Sequence, residues 1–396
     1  MKKIILSAAI IFSFYACGDN GKSQETASVG AETDSTEIQQ KGVPDPIPAE
    51  SASDKYSYEM VVSDLQIPWG FTFLPDGSML ITEKSGEIIH YKDGQKEQIS
   101  GVPEVYQRGQ GGLLDIVLHP DYENNGWIYI TYSSPEGTEE GGNTALMRGK
   151  LENGSFTKKE VLYKAAPNTT KGQHFGSRIV FDRDGYLYFS AGERGAREVN
   201  PQDITRDNGK VYRLNDDGSI PSSNPFMDKE NAKESIYSYG HRNPQGIILH
   251  PETGEVWVHE HGPQGGDEIN VVKAGENYGW PILTYGQNYD GTPITEEQSR
   301  PEMEDPIFYW LPSIAPSGMA YVTSEKFPDL RGNLLVGSLK FQYLEHLILD
   351  GKKVTKREKI LEDIGRVRDV RQGPDGNIYV SVEGKGIAKL TKQDQQ

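Results

Sequence analysis

From residue 56 onward one hydrophobic–polar pattern recurs along the chain. A short strand-like run enters a Pro/Asp/Gly turn, and an alternating aromatic–aliphatic run leaves it. The pattern reads Phe73-Leu-Pro-Asp-Gly77 before Met79-Leu-Ile-Thr, and Leu118-His-Pro-Asp-Tyr122 before Trp127-Ile-Tyr-Ile-Thr-Tyr132. It returns as Phe181-Asp-Arg-Asp-Gly185 before Tyr186-Leu-Tyr-Phe-Ser190, and as Leu249-His-Pro-Glu-Thr-Gly254 before Glu255-Val-Trp-Val-His259. The last two copies are Phe327-Pro-Asp-Leu before Asn333-Leu-Leu-Val-Gly337, and Gly373-Pro-Asp-Gly376 before Asn377-Ile-Tyr-Val-Ser381. Alternation predicts strands with one buried face, and the Asp/Gly turns supply positive φ for hairpins. The acidic turn residues Asp76, Asp121, Asp184, Glu252, Asp329 and Asp375 lie 45 to 77 residues apart. A four-stranded blade needs about 40–50 residues. Six such units predict an all-β fold, a six-bladed β-propeller of four-stranded antiparallel blades over residues 56–392. The longer intervals leave room for loops that build a site.

The first 55 residues do not follow this pattern. Lys2 and Lys3 precede an apolar stretch from Ile4 to Tyr15, too short to span a bilayer as a mature helix. It ends at Phe14-Tyr15-Ala16-Cys17, a small residue followed by the chain's only cysteine. Residues 1–16 are therefore expected to be a lipoprotein signal peptide, with Cys17 lipidated and the protein exported to the cell envelope, periplasmic or anchored in the outer membrane. Residues 17–55 hold no aromatic side chain before Lys55 and carry Pro44, Pro46 and Pro48. Such a stretch buries too little apolar surface to order itself and is expected to be a disordered tether.

Charge and cysteine usage narrow the classes of function. A formal net charge of −17 excludes a nucleic-acid binder, which needs a basic footprint, and leaves the lipid at Cys17 as the only membrane attachment. A single Cys excludes a disulfide framework and cysteine-based zinc or iron–sulfur sites.

Dense polar clusters interrupt the repeats. Gln110 stands in Gly109-Gln-Gly-Gly, where a ligand can approach the backbone. His174-Phe-Gly-Ser-Arg178 precedes one repeat strand and Gly192-Glu193-Arg-Gly195 follows the next. A hairpin between them would bring His174 and Glu193 to one end of a blade, as a general base with an orienting carboxylate. Gly240-His-Arg-Asn-Pro-Gln-Gly246 and Glu260-His-Gly-Pro-Gln-Gly-Gly-Asp-Glu-Ile-Asn270 flank another repeat. His259 and His261, two apart on a strand, are spaced for a transition metal, whereas His119 and His250 belong to the repeated turn and take a structural role. Lys340, Arg366 and Arg368, with Arg242, would make a positive pocket in an acidic protein and imply an anionic ligand with several carboxylates or phosphates.

In their order and spacing, these segments resemble the soluble quinoprotein glucose/aldose dehydrogenases, also called the glucose/sorbosone dehydrogenase family. The resemblance rests on Gly109-Gln-Gly-Gly-Leu-Leu, His174-x-x-Gly-x-Arg178, Gly209-Lys-Val-Tyr-Arg-Leu, Gly240-His-Arg-Asn-Pro-Gln-Gly246, His261-Gly-Pro, Asn277-Tyr-Gly-Trp-Pro281, Ser338-Leu-Lys340 and Arg366-Val-Arg-Asp369. It implies a propeller holding pyrroloquinoline quinone (PQQ) and Ca²⁺ on one face. It further implies that His174 takes the sugar C1 hydroxyl proton while hydride passes to the quinone, that Glu193 orients His174, and that Arg242 lies near the quinone carbonyls. Gln110, Asn243, Lys340, Arg366 and Arg368 would bind PQQ. The carbonyls of Gly262 and Pro263 would ligate the cofactor's calcium, with Glu268 and Tyr278, and more loosely Asp290, at a second calcium. The implied reaction is oxidation of an aldose at its anomeric carbon to a lactone, with electrons passed to an envelope quinone or cytochrome by a monomeric enzyme. Two other readings of the same loops are a calcium-dependent lactone hydrolase and a non-catalytic propeller that binds carbohydrate or a partner protein.

Overall fold

The computed structural model describes residues 46–393. The expected signal peptide, Cys17 and the tether up to residue 45 lie outside the described residues. Six antiparallel sheets follow one another along the chain. Their strands span residues 68–99, 113–164, 179–239, 244–310, 316–360 and 367–392, blades one to six in order. The first strand of each blade lies innermost: Pro68–Phe73, Leu113–Leu118, Ile179–Phe181, Pro244–Leu249, Pro316–Tyr321 and Val367–Gln372. Each packs on the inner strand of both neighbouring blades, so the six close a ring, as the six repeats predict. Tyr56–Ser63 is the outermost strand of blade six and pairs antiparallel with Gly386–Lys392.

Each repeated turn joins the first and second strands of its blade. The Asp76 carboxylate accepts from the Ser78 N–H at 3.0 Å, and Asp375 does the same for Asn377. Gly77 and Gly376 take φ of 83° and 76°, which a β-carbon would strain. His119 and His250 do turn work as expected, since their Nδ1 atoms accept from the Asp121 N–H and from the Glu252 and Thr253 N–H groups.

The alternation, however, buries both faces of the second strands. Leu187 and Phe189 pack against blade two with Tyr129 and Leu146, while Tyr188, on the opposite face, packs against Ile247 and Val258 of blade four. Six apolar clusters of this kind fill the six gaps between blades. The core is therefore a ring of interfaces, and the alternation distributes side chains between two neighbours.

The tether boundary also moves. Ala49–Ser51 runs parallel to Lys353–Ile360 as a fifth strand of blade five. Arg357 donates to the Ile47 carbonyl at 2.7 Å, and Ala52 is buried among residues of blades five and six. Residues 46–55, expected to be disordered, are thus packed on the propeller. The backbone of a short, weakly apolar segment is satisfied here by an exposed sheet edge, a partner that composition cannot reveal.

Arg178 occupies the axis of the ring. Its Nη1 lies 3.0 Å from Asp115 of blade two and 3.0 Å from Asp369 of blade six. It also donates to the carbonyls of Trp69 at 3.3 Å, Arg368 at 2.9 Å and Gln245 at 3.1 Å. One side chain thereby ties the inner strands of blades one, two, four and six to blade three. Blade five joins through Gly318, where a β-carbon would come within 2.3 Å of Asp369 Oδ1. Replacing Arg178 with Met leaves two buried carboxylates with Arg371 as their remaining cation. The unfolding free energy from urea titration should fall by about 3–5 kcal/mol, the cost of uncompensated buried charge. Lys92→Ala, which removes an exposed pair with Asp76, should leave the midpoint unchanged.

Candidate active site

Because the repeated turns join strands one and two, the segments entering first strands and leaving second strands emerge at the opposite end. That rule brings Gln110, His174, Arg242, Asn243 and Arg366, ahead of or at first strands, to the same face as Glu193, Gly262 and Lys340, after second strands.

His174 Nδ1 is in hydrogen-bond contact with Glu193 Oε1, as the hairpin argument requires. The base is held in the left-handed region, φ 58°, by its N–H donating to Gln110 Oε1 at 2.7 Å. Burial, reinforced by the Arg242 and Arg194 cations, keeps the imidazole below its ordinary pKa despite Glu193. Burial alone would raise the Glu193 carboxyl, but its contact with His174 and the nearby Arg242 hold it below the usual range. The resting pair is therefore neutral imidazole and carboxylate. Glu193 accepts a hydrogen bond from Nδ1–H, which leaves the Nε2 lone pair as the base.

The glycines around Gln110 serve the chain itself. A β-carbon at Gly109 would meet the Gly172 carbonyl at 2.3 Å, and one at Gly111 would meet the Phe175 ring at 2.7 Å. They let the loop carrying Gln110 press against the loop carrying His174.

Arg242 is buried. Its N–H donates to Glu260 Oε2 at 2.6 Å, and Nη1 donates to the carbonyls of His261 at 3.1 Å and Gly262 at 2.7 Å. The Gly262 turn is pinned by Asp267, which accepts from the N–H groups of Gly262, Ile314 and Ala315. Asn243 accepts from the Gly176 N–H at 3.1 Å, while its buried Nδ2 donor has no protein partner.

Arg366 and Arg368 come together on Glu383. Arg366 Nε lies 2.7 Å from Oε2 and Arg368 Nε 3.0 Å from Oε1. A cavity of about 200 Å³ opens here, lined by Gln110, Lys84, Arg366, Arg368, Glu383 and Trp69. Lys340 sits on the adjoining loop, whose Leu339 carbonyl accepts from Arg366 Nη1 at 2.9 Å; its own amine lies over Phe341 and does not line the cavity.

Glu268 and Tyr278 border one small cavity with Glu260 and Gly262. The Asn270 Oδ1 acceptor is buried without a partner, and its Nδ2 reaches Glu260 and Glu268 at 3.3 and 3.4 Å. Burial and the neighbouring Glu260 push the Glu268 carboxyl up. The Tyr278 hydroxyl is spent on the Val271 carbonyl and the Lys273 N–H. Asp290 caps its own exposed turn through Thr292. His259 and His261 do not form the metal pair their spacing suggests. His259 is enclosed within the fold, where only a glycine at position 246 leaves room for its ring, and His261 Nε2 binds the Pro316 carbonyl at 2.6 Å.

Glu383, Lys84 and Trp69 were missed in the sequence. The signal was present: Lys84 and Glu383 directly follow the second strands Met79–Glu83 and Ile378–Val382, the position that also delivers Glu193 and Lys340.

This face, with its carboxylate-backed imidazole and concentrated guanidinium groups, is the site of a propeller enzyme. The Glucose / Sorbosone dehydrogenase profile matches residues 65–391, and the chain belongs to that family of sugar dehydrogenases. The aldose sugar dehydrogenase YliI of Escherichia coli is 43% identical over 330 residues, covering 81% of this chain and 88% of that protein. The crystal structure of the apo-form of the soluble E. coli aldose sugar dehydrogenase superposes with a TM-score of 0.82 at 40% identity, covering 85% of this chain and all of that one. The PQQ-bound aldose sugar dehydrogenase of Streptomyces coelicolor gives 0.70 at 26% identity, with 86% and 99% covered.

The depressed pKa of His174 sets a direction. The base form persists to lower pH than in a free histidine, so the acid limb of kcat/KM for sugar oxidation should lie below about 6.5. Glu193→Gln removes a group that raises this pKa. The limb should move further down and kcat should fall by about 10²-fold or more, measured by steady-state pH profiles.

Proposed function

We propose that this protein is a PQQ- and calcium-dependent aldose dehydrogenase of the cell envelope, oxidising the anomeric carbon of a sugar to a lactone. One observation carries the reading: a neutral imidazole backed by a carboxylate stands on the same face of the ring as Arg242, Arg366 and Arg368. Sugar oxidation needs a base at the C1 hydroxyl and an acceptor for two electrons, and no side chain accepts two electrons. PQQ, when bound, supplies that acceptor.

The residues present fit both groups. Asn243 offers a buried donor without a protein partner, and Asn270 a buried acceptor without one beside Glu260 and Glu268. Gln110, Asn243, Arg366 and Arg368, and Lys340 once its amine turns from Phe341, would hold the cofactor, the cations neutralising its carboxylates through charge-assisted hydrogen bonds. Oxygen donors suit calcium. The Gly262 and Pro263 carbonyls would serve the ion at the cofactor, and Glu268 with Tyr278 the second. Since Arg242 now donates to the Gly262 carbonyl, calcium there requires its guanidinium to turn towards the ligand.

In this reading His174 Nε2 takes the C1 hydroxyl proton, and Glu193 stabilises the imidazolium that forms. Arg242 fixes the reacting end, and the Arg366–Arg368 pair fixes the anionic end. The apolar leader ending at Cys17 supports export and a lipid anchor, with an envelope quinone or cytochrome as electron acceptor and a monomer as the working unit. The hydrolase alternative would ring its metal with side-chain carboxylates; among the described residues no group of three His, Cys, Asp or Glu is so arranged.

Titration of the purified protein with PQQ, with and without Ca²⁺, tests the proposal. Absorbance should report saturable binding strengthened by Ca²⁺, and added aldose should reduce the bound cofactor; no binding at any Ca²⁺ concentration would reject it. Arg366→Ala with Arg368→Ala should weaken PQQ binding by about 10²-fold or more. His174→Ala should bind PQQ normally and lose 10²–10⁴-fold in turnover, roughly the span of a general base.

A further inference from the structure

The loop carrying the base has no regular structure, so each of its backbone polar groups must find a partner elsewhere. Gln110 accepts from the His174 N–H, and the Gly172 carbonyl accepts from the Gln110 N–H at 2.7 Å. Asn243 takes the Gly176 N–H and Thr144 the Phe175 carbonyl, at 3.1 and 2.6 Å. The carbonyls of Lys171 and Gln173 both go to Arg194. Its Nη2 donates to Lys171 at 2.7 Å and to Gly142 of blade two at 3.2 Å, and Nη1 bonds Gln173. The guanidinium carbon lies over the Phe175 ring, 3.5 Å from its centroid. Lys171 Nζ returns the contact by bonding the Gly195 carbonyl.

Arg194 is 1% exposed and itself left-handed, φ 60°. Its neighbouring carboxylate, Glu193, is committed to His174, and its Nε has no partner. Holding a buried guanidinium on carbonyls alone is costly and lowers its pKa to about 10, chiefly by burial. A lipophilic residue of similar length would fill the space more cheaply. What only a multi-pronged planar donor can do is grip the carbonyls on both sides of residue 172 and the ring after residue 174 at once.

We propose that Arg194 is a positioning residue for the base: Glu193 holds the imidazole while its chain neighbour holds the backbone on which that imidazole stands. One turn of blade three thus sets the orientation of the His174 ring and, together with Gln110, its left-handed backbone. The charged and titratable groups facing that ring are Glu193 and Arg194 from blade three and Arg242 and His261 from blade four. Loss of Arg194 removes one of the two guanidinium groups that oppose imidazolium formation.

Two variants test this. Arg194→Met keeps an apolar stem over Phe175 and removes the donors and the charge. Arg194→Lys keeps the charge and one point of attachment. With histidines isotopically labelled and the His174 signal assigned from His174→Ala, its midpoint is titrated by NMR in protein free of cofactor and sugar. The Met variant should raise the midpoint by about half a pH unit or more, and the Lys variant by less than half as much. In sugar oxidation kcat should fall about 10-fold or more in the Met variant, with KM within about 3-fold, and recover in part with Lys, because misplacing a reacting group costs rate rather than binding. An unmoved midpoint with unchanged kcat overturns the proposal. An equal fall in both variants at an unmoved midpoint overturns it too, since that marks an arginine needed only for folding. If the Met variant does not fold, Arg194→Lys decides: unchanged kcat rejects the role, reduced kcat with an unchanged urea-unfolding midpoint supports it, and reduced kcat in step with lost stability overturns it. The kcat arm rests on the sugar-oxidation reading, whereas the NMR arm does not. A shifted midpoint in a protein that oxidises no sugar would retire that reading and leave only the electrostatic part of the role standing.

Discussion

A single guanidinium at the hub organises this molecule. Six sheets arranged as a ring bury their apolar faces against each other, but their innermost edges converge where there is no room for another apolar layer. Arg178 resolves the conflict with hydrogen bonds to carbonyls and carboxylates from four other blades. In that low-dielectric centre the charges stabilise each other only while all are present, so the interaction specifies the ring rather than adding incrementally to it. It also reaches the chemistry directly. Arg178 is four residues beyond His174, so the hub anchors one end of the base loop, while Gln110 and Asn243 anchor its middle.

At the mouth, cations are held ready on temporary partners. Glu383 keeps Arg366 and Arg368 side by side, and backbone carbonyls keep Arg242 in place. An unpaired guanidinium cluster would repel itself and drift apart. The carboxylate spaces the two arginines at little cost, since burial fails to protonate it against two adjacent cations. The acidic surface of the protein and its cationic mouth are therefore compatible: net charge governs solubility, and local pairing governs recognition.

Much of this could be read from the residues. The repeated turn reported the blade number, and because every copy joins the same two strands it also separated the two ends of the ring. His174 with Glu193, and Arg366 with Arg368, follow from that register. What stayed hidden depended on neighbours remote in sequence. The strands of alternating residues looked half-buried because alternation cannot distinguish a solvated face from a second packed sheet. Ala49–Ser51 looked like part of a tether because its partner strand lies some three hundred residues away. The His259 and His261 pairing failed because the fold encloses the His259 ring against Gly246 and the Pro316 carbonyl holds that of His261. Glu383 escaped notice because a lone Glu after a strand means little until the arginines opposite are known.

The pairing of Tyr56–Ser63 with Gly386–Lys392 has a temporal meaning. The sixth blade takes its outer strand from the beginning of the domain and its other three from the end. A growing polypeptide can assemble five blades as they emerge, yet the circle stays open until Gly386–Lys392 has been made. The strand Tyr56–Ser63 must wait, unpartnered, until then. The molecule is thus completed as a closed object in one late event, and an interrupted product is left as an arc with two free edges.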